Sequence, residues 1–525
     1  MAIIKLEQGK EIICQAGENL LQVLRSAGVF MESPCNGKGT CGKCKVQILE
    51  GMVSEPSETE RKLLKDSELS AGIRLSCLTT VLGDCKLRLL QTERKHSVLT
   101  DGYLPEFQRE ALNAYGVAVD IGTTTLALSL VDRRSGEEVA QVSAINPQTR
   151  YGLDVLTRIS YEYEQGEGAI QELQHCLVEV LNRLLAELCR KAAISVHEIA
   201  EIVVAANCAM THMLLGVDAR SLGRNPYQPQ FVEAQSCLAA DIGLAVGEST
   251  RLYCLSQVSA YIGGDIVAGA CVCQLEQQKE TVLFIDIGTN GEIILVHNGN
   301  LLSCSCAAGP ALEGMNISCG MRAADGAVED IRIESEVSLK TIAEQTPLGL
   351  CGSGILAAVR ELLKAGYLKK TGAFVMVDKQ PQPNILRLNG TKREAVLCAE
   401  PEIIVTQDDV RQVQLAKGAI RSGFEVLLKE AGISMEQLDQ VIIAGQFGAH
   451  LPVDSLIGIG LIPEALRDKL SYVGNSSKMG AYMALLSSEK RREMEELAKK
   501  INYIELAETK DYERIFAEAM SFAIT

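Results

Sequence analysis

The sequence predicts an α+β module followed by a larger, internally duplicated α/β domain. Three features lead to this prediction: a strand–strand–helix opening in residues 2–28, four cysteines within residues 35–77, and two similar strand–turn–strand segments around positions 120 and 286. A chain of 525 residues can bury more than one core, because domains commonly contain about 100 to 200 residues. We expect a first domain at 1–92, a linker at 93–114, and a second domain with one lobe at 115–275 and another at 276–525.

Composition excludes several classes of partner. The net charge is -16, aromatic residues make up 4% and tryptophan is absent, so neither a basic phosphate-binding surface nor base-stacking platforms are expected. The apolar stretches are interrupted well before the roughly 20 residues that span a bilayer. The N-terminal MAIIKLEQGKEII alternates like a strand and lacks the features of a signal peptide. We therefore expect a cytoplasmic protein with no nucleic-acid or membrane partner, whose 18 cysteines are thiols or metal ligands.

The first module is expected to be compact. The runs IIKL and EIIC flank a turn-like EQGK, and ENLLQVLRSAG has the period of a short amphipathic helix that ends at Gly28. The segment KCKVQILEG returns to alternation, and LSCLTTVLGDCKLRLL predicts two more short strands. Between them, the polar SEPSETERKLLKDSEL is typical of one surface helix.

Four cysteines predict an iron–sulfur site. Three lie in a C-x5-C-x2-C loop, and 32 residues separate the third from the fourth; the four are Cys35, Cys41, Cys44 and Cys77. Four thiolates suit two irons bridged by sulfide. Glycines at 37, 39 and 42 would let the backbone wrap closely around such a cluster and direct N–H groups toward it. Zinc is the alternative, but zinc ribbons pair two C-x2-C knuckles and this segment has one.

The cysteine spacing resembles that of 2Fe-2S ferredoxins, and the resemblance covers residues 1–92 with one residue more than the plant-type C-x4-C-x2-C. It implies the β-grasp fold and a bound 2Fe-2S cluster. Cys14 and Cys85 occupy strand positions and are expected in the core. Cys304, Cys306 and Cys319 could bind a second metal, but their spacing favours packing.

Two loops predict a phosphate cradle. In VAVDIGTTTLAL a strand ends at Asp120 and is followed by a glycine and hydroxyl groups; in FIDIGTNGEI the pattern recurs at Asp286. The remaining loop residues are Gly122, Thr123, Thr124 and Thr125 in the first copy, and Gly288, Thr289, Asn290 and Gly291 in the second. Phosphate would repel the two aspartates. We therefore expect them to be catalytic, holding magnesium through water or orienting the attacking water.

A third loop, VIIAGQFGAHL, follows a strand and contains Gly445, Gln446, Phe447 and Gly448. Together the three loops resemble those of the superfamily of acetate and sugar kinases, seventy-kilodalton heat-shock chaperones and actin, in which two ribonuclease-H-like lobes close over ATP. The resemblance implies ATP and Mg²⁺ as ligands and places the third loop at the adenosine. Gly474 and Asn475 in GNSSKMGA are expected to help close the pocket. Ordinary strand-to-helix loops are the alternative for both segments.

Five further blocks are more specific: NPQTRYGLDVLTRI, VVAANCAMTHMLLG, AYIGGDIVAG, GPALEGMNISCGMRAADGAVEDI and PLGLCGSGILAAVREL. They resemble the reductive activators of corrinoid proteins over nearly the whole chain. The resemblance implies that one electron passes from the 2Fe-2S cluster to the Co(II) corrinoid of a partner protein, regenerating Co(I), and that ATP hydrolysis drives the step. It also implies an unidentified low-potential electron donor and is compatible with a homodimer.

Three other functions share this domain organisation. A ferredoxin-fused metabolite kinase would need a catalytic aspartate and a substrate pocket in the cleft. An activator of a radical dehydratase would hold a cluster between two protomers, through Cys304, Cys306 or Cys319. An electron-carrying adaptor would use the nucleotide as a structural ligand alone.

Overall fold

The computed structural model describes residues 1–90 (except 8, 28, 30, 32, 34–36, 38, 40 and 41), 102–445 and 451–522. The chain forms two compact units, Met1–Lys95 with Pro147–Arg158, and His96–Asn146 with Ile159–Thr525. Residues 93–101 of the expected linker lie outside the described ranges, as do six individually predicted positions: Gly28, Cys35, Cys41, Gln446, Phe447 and Gly448. Among the described helices, none combines the length and apolar character needed to span a bilayer.

The first unit contains a five-stranded β-grasp sheet in the order β2-β1-β5-β3-β4, as the sequence predicts. Strands β1 and β5 are parallel, and the other neighbours are antiparallel. The strands are β1 (Ala2–Leu6), β2 (Glu11–Cys14), β3 (Lys45–Val53), β4 (Ile73–Leu75) and β5 (Val81–Leu89), and the helices are α1 (Leu20–Ser26), α2 (Glu58–Leu63) and α3 (Asp66–Ser70).

Local structure in the first unit differs from expectation at two places. The predicted surface helix is two short helices, because the chain is extended at Leu64 and Lys65, between the C-cap of α2 and the N-cap of α3. The predicted strand around Cys77 is a 3-10 turn, Ser76–Leu78, followed by the single strand β5. The hydroxyl of Thr79 donates to the Leu75 carbonyl and stabilises that turn.

The core of the first unit lies between α1 and the sheet. Apolar residues of α1 at spacings of one, three and four positions, Leu20, Leu21 and Leu24, are buried there, as an amphipathic helix requires. Cys14 and Cys85 are also buried, in agreement with the sequence analysis.

The first lobe of the second unit has a six-stranded sheet in the order β10-β11-β9-β6-β7-β8. Its strands are β6 (Tyr115–Ile121), β7 (Thr125–Asp132), β8 (Glu137–Ile145), β9 (Ile199–Ala206), β10 (Gln235–Leu238) and β11 (Arg251–Cys254). The helices of this part of the chain are α4 (Val155–Gln165), α5 (Glu167–Ala192), α6 (Cys208–Leu215) and α7 (Gly264–Val272).

The second lobe has a sheet in the order β22-β21-β12-β13-β14-β23, and two small sheets. Its strands are β12 (Val282–Ile287), β13 (Gly291–His297), β14 (Asn300–Cys306), β15 (Ala327–Ile333), β16 (Val337–Thr341), β17 (Gly349–Leu350), β18 (Leu386–Asn389), β19 (Lys392–Cys398), β20 (Ile403–Thr406), β21 (Gln440–Ala444), β22 (Leu470–Gly474) and β23 (Ile501–Tyr503). Its helices are α8 (Gly352–Lys364), α9 (Gln407–Ala431), α10 (Val453–Gly458), α11 (Ser476–Leu486), α12 (Ser488–Lys500) and α13 (Tyr512–Ala519).

The two lobes repeat one plan. Each has an antiparallel three-stranded meander, β6-β7-β8 or β12-β13-β14, and two further strands that continue parallel to its first strand. The first strand is buried on both faces and ends in the Asp-x-Gly-Thr turn. The duplicated ribonuclease-H-like organisation therefore places both predicted phosphate loops at equivalent ends of their sheets.

Helices α7 and α11 pack closely against each other. A Cβ atom on Gly480 of α11 would lie 2.4 Å from the Cβ atom of Ala268 in α7, so only glycine fits there. Helix α11 also contacts β6 and β9 of the first lobe. This packing brings the N-terminal ends of both helices to the phosphate loops.

Candidate functional site

The two phosphate loops form one pocket. Each is a tight hairpin turn in which a glycine N–H donates across the loop, from Gly122 to the Thr125 carbonyl and from Gly288 to the Asn290 carbonyl, both at 2.9 Å. The pocket is lined by Asp120, Gly122, Thr123, Thr124, Thr125, Asn207, Asp265, Asp286, Ile287, Gly288, Thr289, Asn290, Glu292, Glu313, Gly445, Asn475 and Ser477.

Asp120 is held by the start of α11. Its Oδ2 accepts a hydrogen bond from Asn475 Nδ2 and its Oδ1 accepts one from Ser477 Oγ, both at 2.8 Å. Burial raises the pKa of Asp120, and these two bonds oppose that effect. Asn475 also caps α11 by accepting the N–H of Lys478. The N-terminus of one helix therefore orients the aspartate of the first loop.

A carboxylate joins the two loops. The hydroxyl of Thr289 donates to Glu313 Oε1 at 2.5 Å, and it lies 3.1 Å from the hydroxyl of Thr124. The Thr124 hydroxyl lies 3.5 Å from the same Glu313 oxygen. All three residues are buried. Each lobe thus contributes one threonine hydroxyl to a single cluster around Glu313.

The pocket is strongly acidic. Burial, followed by the charges of Asp265 and Asp120, raises the pKa of Asp286 to about 8. Burial also raises the pKa of Asp265 to about 7, and that of Glu292 well above its ordinary value. No lysine or arginine is among the described residues that line the pocket. Carboxylate oxygens are the ligands that Mg²⁺ prefers, so a bound divalent cation would favour the ionised form of these groups.

Most residues predicted for the nucleotide site come together in this pocket. Asp120, Gly122, Thr123, Thr124, Thr125, Asp286, Gly288, Thr289, Asn290, Gly445 and Asn475 all line it. Gly291 instead faces the core, where a Cβ atom would lie 2.9 Å from Cys306 Sγ. Gly445 has φ +96°, and a Cβ atom there would lie 2.7 Å from Asp286 Oδ1. The described part of the third loop is therefore in close contact with the second predicted phosphate loop.

Sequence reasoning missed five polar residues of the pocket, Asn207, Asp265, Glu292, Glu313 and Ser477, and the apolar Ile287. Asn207, Asp265 and Glu313 lie within VVAANCAM, AYIGGDIVAG and GPALEGMN, which the sequence marks only as family-like blocks. Ser477 lies in GNSSKMGA, where only Gly474 and Asn475 are expected at the pocket. These segments are far apart in the sequence, and the folded structure shows that they converge on one pocket.

The described part of the cysteine site fits an iron–sulfur cluster. Cys44 and Cys77 are buried, 0% and 8% exposed. Gly37, Gly39 and Gly42 have φ of +81°, +70° and +65°, and a Cβ atom on Gly39 would lie 2.9 Å from the Leu78 side chain. Such a backbone leaves room for a group that a bulkier loop would exclude.

The other cysteines considered for metal binding do not form a site. Cys304 and Cys306 are buried in the core of the second lobe, and Cys306 Sγ donates to the Gly291 carbonyl. Cys319 is half-buried, and the Ile404 N–H donates to its sulfur. Within the described ranges, no three histidine, cysteine, aspartate or glutamate residues are grouped so that they could hold a metal ion.

Family models match three consecutive parts of the chain. Residues 3–82 match the 2Fe-2S iron-sulfur cluster binding domain, residues 115–278 the RACo middle region, and residues 280–525 the C-terminal domain of RACo, the ASKHA domain. The corrinoid activation enzyme RamQ of Eubacterium limosum is 32% identical over 430 residues, covering 79% of this chain and 72% of RamQ. The chain belongs to the family of reductive activators of corrinoid proteins.

Two further members of this corrinoid-activator group support the assignment. The [Co(II) methylated amine-specific corrinoid protein] reductase of Methanosarcina barkeri is 25% identical, covering 78% of this chain and 77% of that protein. A solved structure of a reductive activator for corrinoid,iron-sulfur protein superposes with a TM-score of 0.71 at 29% identity, covering 99% of this chain and 98% of that one. The activator fold and its 2Fe-2S domain are thus those that the sequence predicts.

Proposed function

We propose that this activator is an ATP-driven reductase, in which hydrolysis of MgATP in the acidic pocket drives transfer of one electron from the 2Fe-2S domain to the Co(II) corrinoid of a partner protein. When bound, the cluster supplies that electron. Cys35, Cys41, Cys44 and Cys77 would hold the cluster, which an unidentified low-potential donor reduces.

The convergence of both phosphate loops on one pocket carries this proposal. Loop N–H groups and threonine hydroxyls can bind phosphate oxygens, and Gly122, Gly288 and Gly445 permit close approach of the backbone. Asp120, fixed by Asn475 and Ser477, and Asp286 would orient Mg²⁺ with its bound water. The cation would hold the pocket carboxylates in their ionised form and would neutralise part of the triphosphate charge.

ATP would act on electron transfer through a change of state. A ligand shifts a conformational equilibrium only by the difference in its affinity for the two states. Thr124 and Asp120 belong to one lobe, and Thr289 and Ser477 to the other, so nucleotide bound between them would interact differently with open and closed lobes. The closed state would be the one that reduces the corrinoid.

The test mixes the reduced protein with a Co(II) corrinoid protein under anaerobic conditions and follows the cobalt absorbance with and without MgATP. We expect Co(I) only when MgATP is present, and no Co(I) with the Asp286→Ala variant.

If cobalt stays oxidised with several corrinoid partners while ATP is still consumed, the ATP-driven reductase is refuted. Phosphate transferred to a metabolite in that experiment would then favour the kinase, and phosphate released without any acceptor would disfavour it.

A further inference from the structure

We infer that Glu313 is the general base of ATP hydrolysis, accepting a proton from the water that attacks the terminal phosphate. In that step a bond forms between the water oxygen and the γ-phosphorus as the bond from the γ-phosphorus to the β,γ-bridging oxygen breaks. One water proton passes to the Glu313 carboxylate, and ADP leaves. This inference rests on the proposed function, because it assigns a residue to its hydrolytic step.

The position of Glu313 is the first argument. A phosphate held by both loops must lie where the loops face each other, and that place is marked by the 3.1 Å approach of the Thr124 and Thr289 hydroxyls. Glu313 Oε1 accepts the Thr289 hydroxyl at 2.5 Å at the same place. A base must lie within hydrogen-bond reach of the proton that it removes, directly or through one water.

The other carboxylates of the pocket are less suited to this task. Glu292 is hydrogen-bonded to the side chain of Asn290 in the second loop alone. Both oxygens of Asp120 are occupied by the fixed donors Asn475 and Ser477. Asp265 Oδ1 accepts the backbone N–H of Ile266 at the start of α7. Asp286 directly faces Gly445, which places it against the third loop. Glu313 Oε1 accepts the Thr289 hydroxyl at 2.5 Å and lies 3.5 Å from the Thr124 hydroxyl, so this carboxylate lies beside threonines of both loops.

Tight backbone packing fixes Glu313. It ends a 3-10 turn, Pro310–Glu313, and Gly314 follows with φ +77°. A Cβ atom on Gly314 would lie 2.3 Å from the Met321 carbonyl oxygen, and one on Gly352 would lie 1.9 Å from the Leu312 carbonyl oxygen. These contacts explain the glycines of GPALEGMN and LGLCGSG, two blocks that phosphate binding leaves without a role. Such rigidity is what a preorganised catalytic group needs.

The test measures kcat for ATP hydrolysis and the MgATP dissociation constant separately, in the full-length protein with its cluster, with and without the corrinoid partner. Glu313→Gln keeps the volume and an oxygen that can accept the Thr289 hydroxyl, but it cannot accept the water proton. We expect kcat to fall about 100-fold or more, with MgATP affinity unchanged or tighter. The kcat of Glu313→Asp should lie between those of the wild type and Glu313→Gln. Glu336→Gln makes the same substitution at an exposed position and serves as the matched control.

A second variant tests the threonine contact. Thr289→Val removes the hydroxyl that Glu313 Oε1 accepts, so kcat should fall; an unchanged kcat would show that this contact does not position Glu313.

Two results overturn the assignment: Glu313→Gln with kcat within threefold of wild type, or Glu313→Gln more active than Glu313→Asp, which would show that volume matters and the carboxylate does not. Wild-type protein that binds MgATP but never hydrolyses it would instead refute the proposed function and this inference with it.

Discussion

Replacing Asp286 with asparagine should stabilise the nucleotide-free protein while abolishing its response to MgATP. Burial and the charges of Asp265 and Asp120 raise the pKa of Asp286 to about 8, whereas an unfolded chain gives aspartate a pKa of about 3.9. The folded state therefore holds a proton that the unfolded state has lost. The contribution of Asp286 to the stability of the wild type therefore falls as pH rises from about 4 to about 8 and is constant above that range.

The magnitude follows from this linkage. Each pH unit between about 5 and 7 should cost the wild type up to about 1.4 kcal/mol that the variant does not lose. One kcal/mol shifts the unfolding midpoint of a domain of 150 to 250 residues by about 2 to 4 °C. The difference in unfolding midpoint temperature between Asp286→Asn and the wild type should therefore increase by roughly 3 to 5 °C per pH unit.

Scanning calorimetry at pH 5, 6, 7 and 8 measures this difference, and exposed Asp378→Asn serves as the matched control. MgATP at a concentration 100 times its dissociation constant should stabilise the folded wild type by about 2.7 kcal/mol and so raise its unfolding midpoint. The midpoint of Asp286→Asn should not change. A midpoint difference that does not change with pH would show that Asp286 is not a buried, repelled carboxylate, and would refute the reasoning.

Three further predictions concern the two sites and the first core. Gly445→Ala would place a Cβ atom 2.7 Å from Asp286 Oδ1 on a backbone with φ +96°, so titration calorimetry should show MgATP affinity about 10- to 100-fold weaker. Gly432 also has a positive φ, +68°, but no atom lies within 4 Å of an added Cβ, so Gly432→Ala should leave that affinity unchanged. Cys77→Ser should abolish the 2Fe-2S visible absorbance, whereas Cys85→Ser, a buried cysteine outside the predicted ligand set, should retain it; equal loss in both would contradict the ligand assignment. Glu60 is buried and accepts two hydrogen bonds from Arg74, at 3.0 and 2.9 Å, so Glu60→Ala should destabilise the first unit by about 3 to 5 kcal/mol in urea denaturation; a loss no larger than that of exposed Glu58→Ala would refute this.

The amino-acid sequence was sufficient to predict a 2Fe-2S domain followed by a duplicated α/β domain, as the matched family models confirm. The alternation of IIKL and EIIC and the buried repeats ending at Asp120 and Asp286 reflect local backbone periods, which neighbouring residues determine directly. The two Asp-x-Gly-Thr turns could likewise be recognised, because a tight phosphate-binding turn requires glycine and hydroxyl groups at fixed offsets. The strand predicted at Cys77 was wrong: Ser76–Leu78 forms a 3-10 turn, which the hydrogen bond from the Thr79 hydroxyl to the Leu75 carbonyl stabilises.

The residues that share the acidic pocket could be identified from the three-dimensional fold alone. Ser477 reaches Asp120 because α11 begins where β22 ends. Glu313 reaches Thr124 because the two Asp-x-Gly-Thr loops converge on one pocket. These pairs lie 357 and 189 residues apart in the chain, so no periodic signal links them. The raised pKa of Asp286 has the same origin, since it depends on burial and on charges that the fold brings together from both lobes.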